Sequence, residues 1–266
     1  MIPALRSEFR KLFSVRSTYI LSLFFLLLLG FLAFYVQGFK NVPTETISAL
    51  DHAKAQQFLA GSITQVANVL SVAGALIALL ILTHEYRYNT IVYTLTASNS
   101  RSKVLAAKIM AIFIYVFAYS VLATALALIL MKAGIAASGH TLPAQNINYL
   151  TFFAKIVFFA ESFAMGGLLF AALIRNQVGA IAALFIIPNP VEGILSLLLK
   201  QNAVYLPFTA LQQVIQPPVI NGVAAAHVRD NTSGQLSAPR GALVFLAYLL
   251  TGWIITWYLF LRRDAT

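Results

Sequence analysis

Long apolar runs separated by short polar stretches dominate the chain. Thr18 to Gln37, Gly61 to Thr83, Val104 to Met131, Tyr149 to Leu173 and Gly241 to Leu261 each reach the roughly 20 mainly apolar residues that cross a bilayer as a helix. Gln177 to Lys200 is also long enough, but it contains Pro188-Asn189-Pro190. Proline removes a backbone donor and clashes one turn back, so a kink or break is expected there. The runs lack the two-residue alternation of a membrane barrel strand. In hydrocarbon each segment must close its own backbone hydrogen bonds. The pattern therefore predicts an all-α integral membrane protein with spans at 18–37, 61–83, 104–131, 149–173, 177–200 and 241–261.

Three shorter stretches show helical periodicity outside the spans. In the first 17 residues, Ile2, Leu5, Phe9, Leu12 and Phe13 share one face, with Arg6, Arg10 and Lys11 off it. That pattern predicts a helix lying in the interface plane over 1–17; the alternative is a disordered basic leader. Between the second and third spans, Tyr88, Ile91, Val92 and Leu95 recur at i, i+3, i+4 and i+7, which suits a short amphipathic helix. Asn89 is its plausible N-cap. In the 201–240 segment, Phe208, Leu211 and Ile215 fall on one face of a short helix, and the turn-rich remainder up to Arg240 reads as a loop.

Charge adds orientation. Arg6, Arg10, Lys11 and Arg16, then Arg87, Arg101, Lys103 and Lys108, then Arg175, then Arg262 and Arg263 fall on one side of this arrangement. The longer segments of the other side hold Lys40, Lys54, Lys132, Lys200, Arg229 and Arg240. The positive-inside rule then places both termini in the cytoplasm and 201–240 outside. The first apolar run is as long as a full span and is followed by no small-x-small site, so an uncleaved span is expected.

The composition agrees: 266 residues, 60% hydrophobic, only 10% charged, and a mean hydropathy of +0.82. A soluble domain usually carries about 25% charged residues. The net charge of +10 lies in clusters beside apolar spans, where anionic lipid attracts it. It does not form the basic face of a nucleic-acid-binding fold, so no nucleic-acid partner is expected. Cysteine is absent, and His52, His84, His140 and His227 fall in separate segments. No disulfide or metal site is expected.

Few motifs carry chemistry. GIAASGHT, Gly134 to Thr141, imitates a phosphate loop, but His140 stands where the lysine is needed and no strand precedes it. No recognisable ATP-hydrolysing or hydrolase grouping exists, and no catalytic residue is assigned. Two charges fall within the fourth span, Lys155 and Glu161. Intramembrane charges are costly and usually functional. Lys155 sits near the outer end, where it can snorkel. Glu161 lies nearer the middle, in a stripe of small residues, Ala160, Ala164, Gly167 and Ala171. It reads as a coupling carboxylate or as a packing group bonded to a neighbouring helix. Glu192, just after Pro190, is expected to reach outer water.

The tract from Glu85 to Lys108, EYRYNTIVYTLTASNSRSKVLAAK, resembles the signature loop of type-two ATP-binding-cassette (ABC) export permeases. The resemblance rests on Glu85, Thr90, Ile91, Thr94, Leu95, Ser100, Arg101 and Lys108 in order and spacing. Asn89 and Asn99 stand at or near places where the family often has Gly and Pro. LRSEFRKLFSVRSTYI, YLPFTAL and LFLRRD resemble the family's amphipathic start, outer segment and end, so the resemblance covers the whole chain. It implies a single transmembrane domain over 1–266, paired as a homo- or heterodimer with a second permease subunit. It implies a coupling helix over 86–98 that docks on a separate ATP-binding subunit, with Glu85, Arg87, Tyr88, Ile91, Val92, Leu95 and Arg101 at the contact. This chain would bind no cofactor; ATP and Mg would be held by the partner. The expected function is export across the cell membrane, with a lean towards a drug or antimicrobial peptide as cargo. The alternatives are an ion- or proton-coupled carrier using Glu161 and a membrane-bound lipid-modifying enzyme.

Overall fold

The structure is a computed structural model that describes residues 2–40, 52–88, 101–139, 149–215 and 236–262. Every regular element among these is helical. Helix α1 (Ile2–Ser14) precedes α2 (Arg16–Phe31), which runs on with π winding through Leu32–Lys40. Then come α3 (His52–Arg87), α4 (Arg101–Ala137) and α5 (Tyr149–Ile174). The fifth span is built from α6 (Gln177–Ile186), a π turn at Ile187–Val191, α7 (Glu192–Leu199) and a 3-10 stretch at Lys200–Tyr205. Short α8 (Pro207–Gln212) precedes α9 (Ala238–Arg262). Among the described residues, six helical stretches are long and apolar enough to cross a membrane, as the apolar runs predict.

The spans divide into an inner pair and an outer set. In the fourth span 78% of the apolar stretch is buried within the protein and in the second 67%, against 11% in the fifth. Helix α3 packs most extensively on α5. Small residues allow that approach, as expected for helices in lipid. A Cβ added at Gly167 would stand 3.0 Å from both the Cβ and the carbonyl oxygen of Ala75. One at Gly74 would meet Val116 at 3.3 Å and Ala164 at 3.5 Å, so α3, α4 and α5 converge there. The first and third spans cross at a second small-residue contact. A Cβ on Gly38 would fall 2.5 Å from the Met131 carbonyl oxygen, and one on Gly134 would run into the Phe34 carbonyl. The glycine of the false phosphate loop is thus a helix-crossing residue.

Pro188 and Pro190 do not sever the fifth span. The helix passes through them by widening to a π turn, and the Asn189 side chain donates to the Phe185 carbonyl at 3.2 Å. Beyond α7 the chain turns back, and α8 inserts beside α5 and α9. Its Phe208 ring lies 5.2 Å from Phe163, 6.1 Å from Phe170 and 5.8 Å from Phe245. The backbone of α8 presses on α9 at Gly241, where a side chain would strike the Ala210 carbonyl oxygen.

Glu192 corrects one expectation. It does not reach water but is 4% exposed. Its carboxylate accepts from the backbone N–H of Phe208 at 2.8 Å and of Thr209 at 2.7 Å, and from the Thr209 hydroxyl at 2.8 Å. These N–H groups open α8 and have no intrahelical acceptor. The carboxylate of α7 satisfies them from another segment, in place of a local cap.

Candidate coupling site

Helices α3 and α4 are longer than a bilayer requires. The 37 residues of α4 make about 55 Å of helix, against roughly 30 Å of hydrocarbon. The C-terminal end of α3 and the N-terminal end of α4 meet at one end of the bundle and flank residues 89–100. Helix α1 packs against α4 at that same end.

A charge network joins the three helices. Lys108 is 3% exposed, two turns into α4. Its Nζ donates to Glu8 Oε2 of α1 at 2.5 Å and to Glu85 Oε1 of α3 at 2.5 Å. Lys11 adds a 2.8 Å bond to Glu8 Oε1 and lies 3.6 Å from Glu85 Oε1. The buried Lys108 and the partly exposed Lys11 thus balance two largely buried carboxylates, and such pairing is what buried charge requires. Burial pushes the Glu8 carboxyl up, but Lys108 and then Lys11 outweigh it and hold Glu8 below the ordinary carboxylate range. Glu85 Oε2 is buried with no hydrogen-bond partner among the described residues.

The docked face of α1 differs from the apolar stripe of the sequence. Leu12 is buried at 4% exposed, but Glu8 is buried beside it. Phe13 faces outward at 56% exposed, its ring stacked at 6.3 Å on Phe9 and edge-on at 6.3 Å to Tyr115. Among its described side chains, Leu12 and the ion-paired Glu8 are the buried ones, and Phe13 turns aromatic surface to the surroundings.

A second set of contacts ties the α5–α6 junction to the same place. Arg87 donates to Gln177 Oε1 at 3.3 Å and stands 5.7 Å from the Tyr88 ring centroid. Arg175 adopts φ +55 between α5 and α6, and its guanidinium lies 5.7 Å from the Tyr86 ring and 5.9 Å from Phe260. Tyr86 packs in turn on a small apolar cluster of Leu105 and Phe260. Movement of the α3 terminus would therefore be felt by α1, α4, the α5–α6 turn and the end of α9.

Of the expected coupling residues, Glu85, Arg87 and Tyr88 stand at this site. Tyr86 and Arg87 end α3 rather than opening the separate helix expected over 86–98. Ile91, Val92 and Leu95 lie outside the described residues, and of Arg101 only its place at the start of α4 is described. Lys108, the last residue of the family's loop signature, is the centre of the network. Glu8, Arg175 and Gln177 did not stand out in the sequence. An acid three residues before a lysine in a basic amphipathic helix was the available signal for Glu8.

The two intramembrane candidates lie elsewhere. Glu161 is 7% exposed on the inner face of α5, and both carboxylate oxygens are buried without a partner among the described residues. Ser120 and Thr124, one turn apart on α4, are fully buried and likewise unpartnered. Lys155 is half-buried on the opposite part of α5, beside an open groove.

A family model described as "ABC-2 family transporter protein" matches residues 4–189, which includes the whole charge network. The chain belongs to the ABC-2 transporter family. No curated protein matches the sequence. Membership makes it an ABC-type permease, a multi-pass membrane subunit of the kind that works with an ATP-binding partner and dimerises. The match runs from within α1 into the π turn of the fifth span.

Proposed function

We propose that this chain is the permease subunit of an ABC exporter, driven by ATP that a separate subunit hydrolyses with Mg. The observation that carries the reading is Lys108 bridged between Glu8 and Glu85. It fastens the interfacial helix to the two helix ends that flank residues 89–100. In this reading 89–100 provides the coupling helix, with Ile91, Val92 and Leu95 as its apolar docking face and Arg87 and Arg101 at the rim. ATP-driven closure of the partner pushes on that segment. The network makes α1, α3 and α4 respond together, and the inner span α3 passes the tilt to α5. Both termini are cytoplasmic, the location is the cell membrane, and two permease subunits pair, alike or different. The sparse charge of the spans favours a hydrophobic or amphipathic cargo such as a drug or antimicrobial peptide.

The test is co-purification with an ATP-binding subunit and measurement of ATPase activity with and without cargo. Ile91→Asp and Leu95→Asp place a charge in the docking face. Each is expected to lose the partner or to uncouple hydrolysis from export, with membrane insertion intact. Full partner binding and coupling by Ile91→Asp would overturn the coupling role of the tract.

A second reading, an ion- or proton-coupled carrier, draws on Glu161 and its unpartnered oxygens. Export that persists when the partner's ATP site is disabled would favour it.

A further inference from the structure

Lys155 is a cation within the membrane-spanning part of α5, six residues or about 9 Å from the helix start. No carboxylate pairs with it among the described residues. Charges at such depth normally have a partner or line a pathway. Lys155 faces away from the inner contact of α3 and α5, on the side of α5 where Thr151, one turn before it, is exposed. There it borders an open groove of about 380 Å³ on the protein surface, lined also by Leu150, Thr151, Ala154, Phe158 and, from the segment after α8, Val214. The groove opens to the surroundings of the helix bundle. It suits a headgroup and the first carbons of a chain rather than a whole lipid. The walls are apolar except for the Thr151 hydroxyl and the Lys155 ammonium, so the site is amphipathic and cationic.

We propose that this groove binds an anionic phospholipid of the leaflet opposite the Glu8–Lys108–Glu85 network. The lipid phosphate sits on the Lys155 ammonium, an arrangement of the charge-assisted kind that strengthens away from water. The long lysine stem lies along the apolar wall and lifts its head towards the interface. The acyl chains follow Leu150 and Phe158 into the bilayer. The site is separate from the coupling end. Through Val214 it touches the segment that follows α8, so bound lipid braces α8 against α5.

Native mass spectrometry of the purified protein in detergent, titrated with phosphatidylglycerol or phosphatidylcholine, tests the proposal. The parent is expected to bind phosphatidylglycerol about tenfold more tightly than phosphatidylcholine, the scale of one hydrogen bond to a charged group. Lys155→Gln should remove that preference and Lys155→Arg should keep it. Lys200→Gln, a cation at the same end of the bundle, should leave it unchanged. Ala154→Trp fills the groove without altering charge and should also weaken phosphatidylglycerol binding. Size-exclusion profiles like the parent's show that each variant is folded. An equal preference in Lys155→Gln overturns the assignment. So does displacement of the lipid by inorganic phosphate alone, which would mark a simple anion site.

Discussion

Lys108 Nζ stands 2.5 Å from Glu85 Oε1 across the gap between the third and second spans, and 2.5 Å from Glu8 of α1. One side chain thereby serves three helices. Removing it would leave two largely buried carboxylates with only the partly exposed Lys11 to balance them. Breaking a buried pair by deleting one partner typically costs about 3–5 kcal/mol. Lys108→Met is therefore expected to lower the unfolding temperature of the purified protein and to loosen α1, read as faster proteolysis near Ser14. Lys108→Arg should retain most of the stability, and unchanged proteolysis in Lys108→Met would show that α1 is held by other contacts.

The same network carries a pH dependence. Glu8 is held below its ordinary value of 4.5 in the folded protein, so folding favours the charged form. The stability it contributes is present above that ordinary value and is lost as pH falls through the lower folded value. Docking of α1 should be insensitive to pH between about 5 and 7 and weaken under more acid conditions. Glu8→Gln should remove this acid-side loss while lowering docking at neutral pH. Proteolytic protection of α1 measured across pH in the parent and Glu8→Gln checks it.

Glu192 satisfies three donors at the start of α8. Glu192→Ala should leave buried N–H groups without acceptors, at about 1–3 kcal/mol for each group that water cannot reach. Glu192→Gln keeps an acceptor oxygen and should cost less. The expected readout is greater reactivity of a cysteine placed at Thr209 in the Ala variant than in the Gln variant. Equal reactivity in both would mean that the aromatic contacts of Phe208 hold α8 unaided.

The spans were legible because a bilayer imposes length and apolarity, and the helical winding of Ile2–Ser14 because its apolar residues keep one periodicity. The orientation of side chains around each helix was less so. Glu8 drew no reading and Lys108 only a place among the charges of one side and in the family's loop signature, since a sequence does not show that three helix ends meet. Glu192 read as wet because proline-rich segments usually leave the membrane, whereas here α8 folds back and supplies the donors. Gly134 carried no sign of its role, because a close helix crossing depends on Gly38 almost a hundred positions away. Glu85 was visible from its place in the family's loop, and the structure adds the partner that neutralises it.

Glu161 offers the sharpest separation of stability from activity. A buried carboxyl without a hydrogen-bond partner is costly to the fold. Glu161→Met should raise the unfolding temperature of the purified protein by a few degrees, roughly the shift of a 1–2 kcal/mol gain. Export should fall in the same variant if the carboxyl acts in the pathway. A variant no more stable than the parent would indicate that the carboxyl finds a partner across the dimer.

The Glu192 clasp also bears on how the protein is made. Its carboxylate and the amides it accepts from are only 16 and 17 residues apart in the chain. Contacts this local form early, because little chain must be ordered to close them. The fold-back of α7 onto α8 can therefore assemble while α9 is still being synthesised. The last span would then enter the membrane against a finished hairpin, with Gly241 meeting an α8 backbone already in place.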